Sequence, residues 1–430
     1  MTTPHASTRA AQRAQNTAAA ARDPRHARTV RTHSMMRLIG LVLTGVFAFV
    51  ATGAGAIYYK MQNNIESIDV SDLLAGVDGL PSAPTEDPKD PKAGVPVNIL
   101  LMGSDDRSGE NATIGGEAGG MRSDTTIVMH ISADRTRVDL VSIPRDSMVA
   151  IPSCTMTDGS TTKAQKKAMF NSAFATGWDN GGDIASAAGC SMLTVMSITD
   201  VYLDGFVVVD FAGFQSMIDS IGGVPICLPE AIVSPEANLN LAAGQQTLNG
   251  EQALGLARAR KGTGLNGSDL TRISRQQELL GATANTLLDK NLLTDAPGLL
   301  KFLNAATSSL KASPEFASLQ NLSGLAMSLR GIDAAKINFL MVPVADDPAD
   351  KNRVVWTSAA DDVWANIAAD RPIDGSTPVE APTDAPAATP EDAATDEPTS
   401  TATTEPTQTA TTTAPPKGLT TAADTTATCG

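Results

Sequence analysis

The chain has 430 residues, 4% aromatic residues and a formal net charge of −15. This acidic balance disfavours a general nucleic-acid binder, which needs a basic surface, and the low aromatic content disfavours a base-stacking platform. Of four histidines, three lie in the first 33 residues and only His130 remains. A multi-histidine zinc site is therefore nearly excluded, and His130, in the middle of an apolar run, is interpreted as structural.

The N-terminal charge pattern predicts a membrane anchor. Residues 1–37 hold seven arginines and one acid, a net charge of +6, and residues 38–59 carry no charge. Twenty-two uncharged residues are enough to cross a bilayer as a helix, and positive flanks stay in the cytoplasm. We expect a cytoplasmic basic tail at 1–37, a transmembrane helix at 38–59 and an extracytoplasmic remainder. The alternatives are a signal peptide cleaved near Ala54-Gly55-Ala56 and a buried core helix.

Two further segments differ from the rest in composition. Residues 60–95 are rich in proline and charge and predict an extended extracytoplasmic stalk. Residues 373–430 are dominated by Thr, Ala and Pro, with nine acids and one lysine, and predict a disordered tail.

Four cysteines fall on the predicted outer side of the membrane, where disulfides are allowed. They permit three pairings, among which the sequence does not choose. We favour Cys154 with Cys190 or Cys227, and buried free thiols are the alternative. The fourth cysteine is Cys429.

The region between stalk and tail predicts an α/β fold. Short apolar runs predict strands at 97–103, 125–132, 138–143, 205–209, 224–228 and 336–344. Helical patterns lie near 183–199, 211–221, 249–257, 268–290 and 296–311. The short polar link at 133–136 predicts a hairpin, and Pro225 favours an edge strand. Mixed strands with covering helices indicate an α-β-α sandwich with a mixed central sheet.

Charged clusters abut the first three strands. An up-down-up strand order brings them to one edge of the sheet: Gly103–Arg107, Arg122–Asp124 and Pro144–Asp146. Strand ends are where ligands bind in open α/β sheets. Each Asp–Arg pair alone would indicate a solvated surface pair. Three such pairs at one edge of the sheet favour a ligand-binding site.

A second arginine group follows later in the chain. Arg258 and Arg260 lie at the end of a predicted helix, in a strand-like step that puts both on one face. Ser268 can cap the next helix. That helix carries a polar stripe of Asp269, Arg272 and Gln276, with Arg275 near its edge. Together these side chains predict an anion-binding surface.

Arginine and aspartate together indicate the chemistry. Guanidinium groups fork onto phosphate oxygens, whereas interleaved carboxylates would repel phosphate unless a hard cation lies between them. Mg²⁺ binds through one or two carboxylates plus substrate phosphate oxygens. The pattern therefore predicts a pyrophosphate–Mg²⁺ site and phosphoryl transfer by positioning and charge neutralisation.

Six blocks in this order resemble the LytR-CpsA-Psr family: GSDDR, MRSDTTIV, VSIPRDSMV, DGFVVVDFAGFQSMIDSIGGVPICLP, LNGEQALGLARAR and DLTRISRQQ. The resemblance covers roughly residues 96–285, the expected catalytic domain, and residues 286–372 would complete the ectodomain. The cysteines and the tail look like the actinobacterial branch. The resemblance implies a membrane-anchored enzyme that transfers a phosphate-linked glycopolymer from a polyprenyl-pyrophosphate carrier to peptidoglycan with Mg²⁺, and several members are pyrophosphatases.

The resemblance also implies roles for individual residues. Asp105 and Asp124 match the metal and pyrophosphate carboxylates. Asp146 would orient Arg145 or act as the base for the attacking hydroxyl, and both roles stay open. The phosphate-binding group comprises Arg107, Arg122, Arg145, Arg258, Arg260, Arg272, Arg275 and Gln276. The expected catalytic group comprises Arg145, Asp146 and Asp124.

The sequence departs from the family pattern in three places. The Lys-x-Asn block is Met169-Phe170-Asn171, the Asp-His-aromatic block is Asp204-Gly205-Phe206, and Leu256 replaces an aromatic residue. The departures leave acceptor and lipid preference open. Arabinogalactan, a teichoic-type polymer and a capsular polysaccharide all fit as the glycopolymer. A non-catalytic polyprenyl-phosphate-binding envelope regulator is the alternative function.

Overall fold

The computed structural model describes residues 26–83, 94–105, 111, 114, 120–289, 296–308, 310–376, 417–425 and 429. The chain divides into two units, residues 1–60 and 61–430. Arg107, residues 84–93 of the predicted stalk and residues 377–416 of the predicted tail lie outside the described residues.

The first unit holds most of a long helix, α1 (His26–Asn64). Its segment Met35–Asn64 is long and apolar enough to cross a membrane, and none of its most apolar stretch is buried. The hydroxyls of Thr44 and Thr52 donate to the carbonyls of Gly40 and Ala48, so neither leaves a polar group without a partner in an apolar segment. This exposure contradicts the buried-core alternative.

The second unit is built from short strands and helices. Its strands are β1 (Glu66–Ser67), β2 (Val97–Ser104), β3 (Ser123–Ile131), β4 (Val138–Ile143), β5 (Met148–Ile151), β6 (Gln165–Met169), β7 (Gly205–Val209), β8 (Val224–Leu228), β9 (Ile232–Ser234), β10 (Leu239–Leu241), β11 (Gly244–Leu248), β12 (Leu310–Ala312), β13 (Ile337–Met341), β14 (Val344–Asp347), β15 (Asp350–Trp356) and β16 (Thr420–Thr421). Its α-helices are α2 (Ser71–Leu74), α3 (Ser172–Gly181), α4 (Ile184–Thr199), α5 (Phe211–Ser220), α6 (Gly250–Arg258), α7 (Asp269–Asp289), α8 (Ala296–Thr307), α9 (Leu319–Ser328) and α10 (Ser358–Ala368).

A mixed eight-stranded sheet organises this unit, in the order β1-β12-β7-β2-β3-β4-β13-β16. β3 is antiparallel to both β2 and β4, which confirms the predicted hairpin. β7 is parallel to β2, and β13 is parallel to β4. The end of β2, the start of β3 and the end of β4 therefore meet at one edge, as predicted.

Both faces of the sheet are covered. Along β2, Leu100 and Met102 pack into a core with α3, α4 and α10, whereas Ile99 points to the opposite face and packs with Ile131 and Phe316. This alternation with a period of two explains why the strand reads as a continuous apolar run. A further core joins α5, α6, α7 and the β8–β11 region. The predicted α-β-α sandwich is confirmed.

Disulfides fasten two parts of the second unit. Cys154 pairs with Cys190 of α4, which is one of the two favoured pairings, and Cys227 of β8 pairs with Cys429. No cysteine is free, so the thiol alternative is wrong.

The predicted stalk is wrong at its start. Met61, Ile65, Val70 and Leu73 are buried, and β1 joins the central sheet beside β12. These apolar residues are spaced through 61–74 between polar ones, so that part of the segment contributes to the core. The composition of residues 60–95 as a whole concealed it.

The tail prediction is wrong for residues 417–425. β16 pairs with β13, and the Asn285 side chain of α7 donates to Ala422 O at 2.6 Å and to Thr425 Oγ1 at 3.1 Å. Lys417, Leu419 and Cys429 distinguish this end of the tail from its Thr/Ala-rich neighbours, and Leu419 packs against the core. The edge-strand prediction at 224–228 is confirmed, since among the described strands β8 pairs only with β11, but in a separate two-stranded sheet and not in the central sheet.

Candidate active site

The edge shared by β2, β3 and β4 assembles the first half of the site. Asp105 follows β2, and its backbone N–H donates to Arg122 O at 3.0 Å while its Oδ1 accepts from the Arg122 N–H at 2.5 Å. Asp124 lies at the start of β3, and its Oδ1 accepts from Arg145 Nη1 at 2.8 Å. Arg145 follows β4 by two residues. Strand register therefore fixes these groups near one another.

The turn between α6 and α7 supplies the second half. Asn249 and Gln252 form a capping box that starts α6, and the helix ends at Arg258 with Ala259 in an extended conformation. Arg258 is thus still helical, and the predicted strand-like step begins at Ala259. The Ser268 hydroxyl accepts from the Leu270 N–H at 3.2 Å, which supports the predicted cap of α7.

Both halves line one cavity of about 490 Å³. Its polar end contains Asp105, Asp124, Arg258, Arg260, Arg272 and Gln276. Its apolar end is lined from the sheet and from α5, α6, α7 and α8 by Leu101, Ile127, Phe211, Phe214, Met217, Ile218, Ile221, Leu254, Leu279, Leu280, Leu287 and Phe302. A ligand that fills this cavity would have a charged head and an apolar body.

Helix α7 locks onto the sheet edge through its polar stripe. Arg272 Nη2 donates to Asp124 O at 2.9 Å, and Gln276 Nε2 donates to Thr125 Oγ1 at 3.1 Å and to Ala257 O at 2.9 Å. These contacts connect β3, α6 and α7. The predicted stripe is therefore buried against the site and is not a solvated face.

Asp269 joins the arginines of both halves. Its Oδ1 lies 3.3 Å from Arg145 Nε, 3.7 Å from Arg260 Nε and 2.9 Å from Arg272 Nη2. Sequence reasoning placed Asp269 in the polar stripe but gave it no role. The three-residue spacing between Asp269 and Arg272 was the one sequence signal for their contact. Nothing in the sequence indicated the contacts of Asp269 with Arg145 and Arg260.

The charges shift the protonation of these groups in opposite directions. Burial alone would raise the pKa of Asp124, but the charge and hydrogen bond of Arg145, with help from Arg272, outweigh it and lower the pKa. Asp124 is therefore a carboxylate at neutral pH. Burial raises the pKa of Asp269 although Arg272 and Arg145 oppose it. Burial also lowers the pKa of Arg272, which still stays protonated.

Asp146 is held by a residue that sequence reasoning missed. Its Oδ1 accepts from Arg353 Nη1 of β15 at 3.2 Å, and its Oδ2 lies 3.7 Å from Arg145 Nε. Val354 N–H also donates to Asp146 O at 3.2 Å. The pairing favours an orienting role for Asp146 over a free base.

Three predicted phosphate ligands do not line the described cavity: Arg145, which contacts Asp124 of its wall, Arg275 and Arg122. The Arg275 side chain donates to Ala259 O at 2.5 Å and so braces the turn between α6 and α7. Arg122 is exposed and contacts Asp105 through its backbone. Arg258 lies on the wall, where its guanidinium carbon is 4.5 Å from the centre of the Phe211 ring.

His130 lies away from this chemistry. About 20 Å of extended strand separates it from Asp124. It is fully buried, with Nδ1 2.7 Å from Asn98 Oδ1 and Nε2 3.0 Å from Asp370 Oδ1. The structural interpretation of His130 is confirmed.

The donor set at the polar end fits a hard cation only if a ligand completes it. Within the described ranges, no group of three or more His, Cys, Asp or Glu side chains is arranged to hold a metal ion. Asp105 and Asp124 both line the cavity, and two carboxylates plus phosphate oxygens are a typical Mg²⁺ set. These residues fit a metal that arrives with a phosphorylated ligand.

Comparison with known proteins gives a family match that includes the site residues. The LytR_cpsA_psr family model matches residues 59–369. The probable cell wall biosynthesis protein LcpB of Corynebacterium glutamicum is 33% identical over 241 residues, covering 54% of this chain and 52% of LcpB. The polyisoprenyl-teichoic acid–peptidoglycan teichoic acid transferase TagV of Bacillus subtilis is 29% identical over 315 residues, covering 71% of this chain and 70% of TagV.

A solved LytR-Csp2A-Psr enzyme from Actinomyces oris is 18% identical and covers 67% of this chain and 97% of that chain, with a TM-score of 0.45. The chain spans about half the length of LcpB. The family model, in contrast, spans well over half of this chain, from the end of the apolar segment through the sheet, both arginine groups and α10. The chain belongs to the LytR-CpsA-Psr family.

Proposed function

We propose that this protein is a membrane-anchored phosphotransferase that moves a glycopolymer from a polyprenyl-pyrophosphate carrier to peptidoglycan. The observation that carries the proposal is the single cavity, whose arginine–carboxylate end continues into an apolar end. A lipid diphosphate has the same two parts. The name of the relative TagV, a teichoic acid transferase that acts on peptidoglycan, supports the same class of reaction.

The apolar end suits a polyprenyl chain. Its twelve apolar side chains come from four helices and the sheet, and they include three phenylalanines. Removing a hydrocarbon chain from water is favourable by about 25 cal/mol per Å². Binding energy from this remote part of the donor would fix the position of the diphosphate at the polar end.

The polar end suits the diphosphate. The guanidinium groups of Arg258, Arg260 and Arg272 offer forked donors to phosphate oxygens, and Arg145 is tied to the same end through Asp124. Asp105 and Asp124 would hold Mg²⁺ together with phosphate oxygens. A bound Mg²⁺ would neutralise the charge that develops on the leaving phosphate.

The reaction follows from this placement. A sugar hydroxyl of peptidoglycan attacks the sugar-proximal phosphorus, the bond to the bridging oxygen breaks, and polyprenyl phosphate leaves. The hydroxyl proton passes to solvent or to a base. The arginines stabilise charge on the leaving group throughout. Water in place of the sugar hydroxyl would give pyrophosphatase activity.

The proposed topology places the cavity outside the cell. Residues 1–37 carry a net charge of +6, which favours a cytoplasmic N-terminus. The two disulfides in the second unit suit an oxidising compartment. The apolar segment of α1 would anchor the chain in the membrane that carries the lipid donor.

The test uses the full-length protein in detergent with a polyprenyl diphosphate analogue. We expect phosphate release that depends on Mg²⁺ and is lost in Arg145→Ala and Asp124→Ala. Arg330→Ala and Asp361→Ala remove exposed charges of the same types and should keep full activity. Binding without turnover, and normal envelope function in cells carrying Asp124→Ala, would support the non-catalytic regulator instead. Depletion of the gene, followed by analysis of the polymer released into the medium, identifies the glycopolymer.

A further inference from the structure

One carboxylate lies among three arginines, of which Arg260 and Arg272 line the cavity and Arg145 contacts Asp124 of its wall. Only 8% of the Asp269 side chain is exposed, and its Oδ1 lies within 4 Å of guanidinium nitrogens of Arg145, Arg260 and Arg272. These arginines come from three places: the loop after β4, the turn after α6, and α7 itself. Asp269 is therefore the point where three chain segments meet through charge.

The hydrogen bonding around this carboxylate is incomplete. Arg272 Nη2 lies 2.9 Å from Asp269 Oδ1 but does not point its N–H at it, so neither Asp269 oxygen makes a directed hydrogen bond in the described part of the chain. The buried Nε–H groups of Arg145, Arg260 and Arg272 have no acceptor there either. A purely architectural arginine–carboxylate pair is commonly bidentate, with two parallel hydrogen bonds. Here the carboxylate balances charge while the arginines keep donors for another acceptor.

Without a central negative charge these arginines would repel one another. Three guanidinium groups converge on a carboxylate that is only 8% exposed, and like charges interact more strongly in such a buried place than in water. They would then separate, or they would need an anion to hold them together. A resident carboxylate keeps them together before the ligand arrives, so binding need not pay for reorganisation.

Building on the proposed phosphotransferase function, we propose that Asp269 is a positioning residue. It holds the guanidinium groups of Arg145, Arg260 and Arg272 at the polar end of the cavity in the arrangement that receives a diphosphate. Asp269 is not a metal ligand in this scheme, because Asp105 and Asp124 line the cavity and Asp269 does not. Asp105 and Asp124, at the sheet edge, keep that role.

The first experiment locates the arginines without measuring turnover. Crystal structures are determined for the full-length wild type, Asp269→Asn and Glu278→Gln. The guanidinium positions in the second unit are then compared. Asp269→Asn preserves side-chain shape but removes the charge, and Glu278, half-buried on the same helix, is the matched control. We expect at least two of the three guanidinium groups to move by more than about 1 Å in Asp269→Asn and none to move in Glu278→Gln. Unmoved guanidinium groups in Asp269→Asn would overturn the proposal.

The second experiment separates positioning from folding and from metal binding. Turnover of a polyprenyl diphosphate analogue should fall at least tenfold in Asp269→Asn, and the affinity for inorganic pyrophosphate should fall as well, because binding must then bring the separated arginines together. Half-saturating Mg²⁺ should not change, and Asp269→Glu, which keeps the charge, should recover at least threefold over Asp269→Asn. Wild-type turnover in Asp269→Asn, or a raised Mg²⁺ requirement, contradicts the proposal.

The two experiments keep the inference apart from the function on which it rests. Absence of turnover in the wild-type protein would contradict the proposed phosphotransferase function. The positions of the guanidinium groups in the variants would still show whether Asp269 holds those groups in place. If Asp269→Asn does not fold, the comparison passes to Asp269→Ser, which also removes the charge but has a smaller side chain. That variant should shift the guanidinium groups and lower turnover, and wild-type positions together with wild-type turnover in it overturn the proposal.

Discussion

Two buried arginine–carboxylate clusters lie at opposite ends of the same strands, and they are built differently. The site cluster comprises Arg145, Arg260, Asp269 and Arg272. The structural cluster comprises His130, Arg137, Asp139 and Asp370. In the structural cluster Arg137 Nε donates to Asp139 at 2.7 Å, Arg137 Nη2 donates to Asp370 at 3.1 Å, and Asn338 donates to Asp139 at 2.6 Å.

The difference lies in hydrogen bonding and not in residue type. Every side chain of the structural cluster makes hydrogen bonds, whereas both oxygens of Asp269 and three arginine Nε–H groups of the site cluster make none within the described residues. A satisfied buried network stabilises one conformation, and an unsatisfied one leaves binding capacity for a ligand. The same amino acids thus form a complete hydrogen-bond network at one edge and, among the described residues, leave buried polar atoms without partners at the other.

The largest expected effect on stability is in the structural cluster. Arg137→Ala leaves the fully buried Asp139 carboxylate without its cationic partner. Breaking a buried pair in this way costs about 3 to 5 kcal/mol. We expect that loss in the free energy of unfolding, measured by urea titration, and unchanged phosphate release per folded molecule.

The control for Arg137→Ala is Arg371→Ala, which removes an exposed arginine near the same end of the sheet. It should change the free energy of unfolding by less than about 0.5 kcal/mol. A loss of turnover in folded Arg137→Ala would show that the two clusters are not separate in function.

The opposite result is expected in the site cluster. Arg260 is one-third exposed, and its Nε has no hydrogen-bond acceptor in the described structure. Arg260→Ala removes one donor to the proposed diphosphate, so turnover should fall about 100- to 1,000-fold, as when one preorganised donor is deleted elsewhere. The free energy of unfolding should change by less than about 1 kcal/mol.

Turnover and thermal unfolding of Arg260→Ala, beside the exposed control Arg330→Ala, check this prediction. A destabilisation as large as that of Arg137→Ala would mean that the site arginine also supports the fold. The contrast between the two clusters would then fail.

The sequence was sufficient for features that depend on neighbours along the chain. β2, β3 and β4 were predicted because each is a short apolar run bounded by polar residues, and the short link fixed the hairpin. Asp105 and Asp124 were found because charged residues directly abut those strands. Arg258, Arg272 and Gln276 follow from motif and helical spacing, and all five residues line the cavity.

Features that depend on distant partners were not predictable. Asp146 pairs with Arg353, 207 residues away, and no local pattern marks Arg353. The apolar end of the cavity is assembled from separate helices whose inward residues look like ordinary core. β16 lies in a Thr/Ala-rich tail, and its pairing with β13 depends on a strand about 80 residues earlier. The convergence of three arginines on Asp269 could not be predicted either, because folding alone brings them together.

The smallest expected effect is a pair of opposite pH trends. The pKa of Asp139 is raised, by burial that outweighs Arg137 and Asn338, whereas the pKa of Asp124 is lowered. The pKa of an aspartate in the unfolded chain is about 3.9. Asp139 therefore contributes most stability below that pH and loses it as pH rises through its folded pKa. Asp124 contributes above that pH and loses its contribution as pH falls through its folded pKa.

The two asparagine variants make these signs measurable. The stability of the wild type minus that of Asp139→Asn should decrease as pH rises from about 4, while the difference for Asp124→Asn should decrease as pH falls below about 4. Urea unfolding across this range gives both differences, and each variant is the control for the other. Parallel trends would mean that the two carboxylates share one electrostatic environment. Opposite trends would distinguish the two edges of the sheet, marked by Asp124 of β3 and Asp139 of β4, by a property that their residue type alone does not reveal.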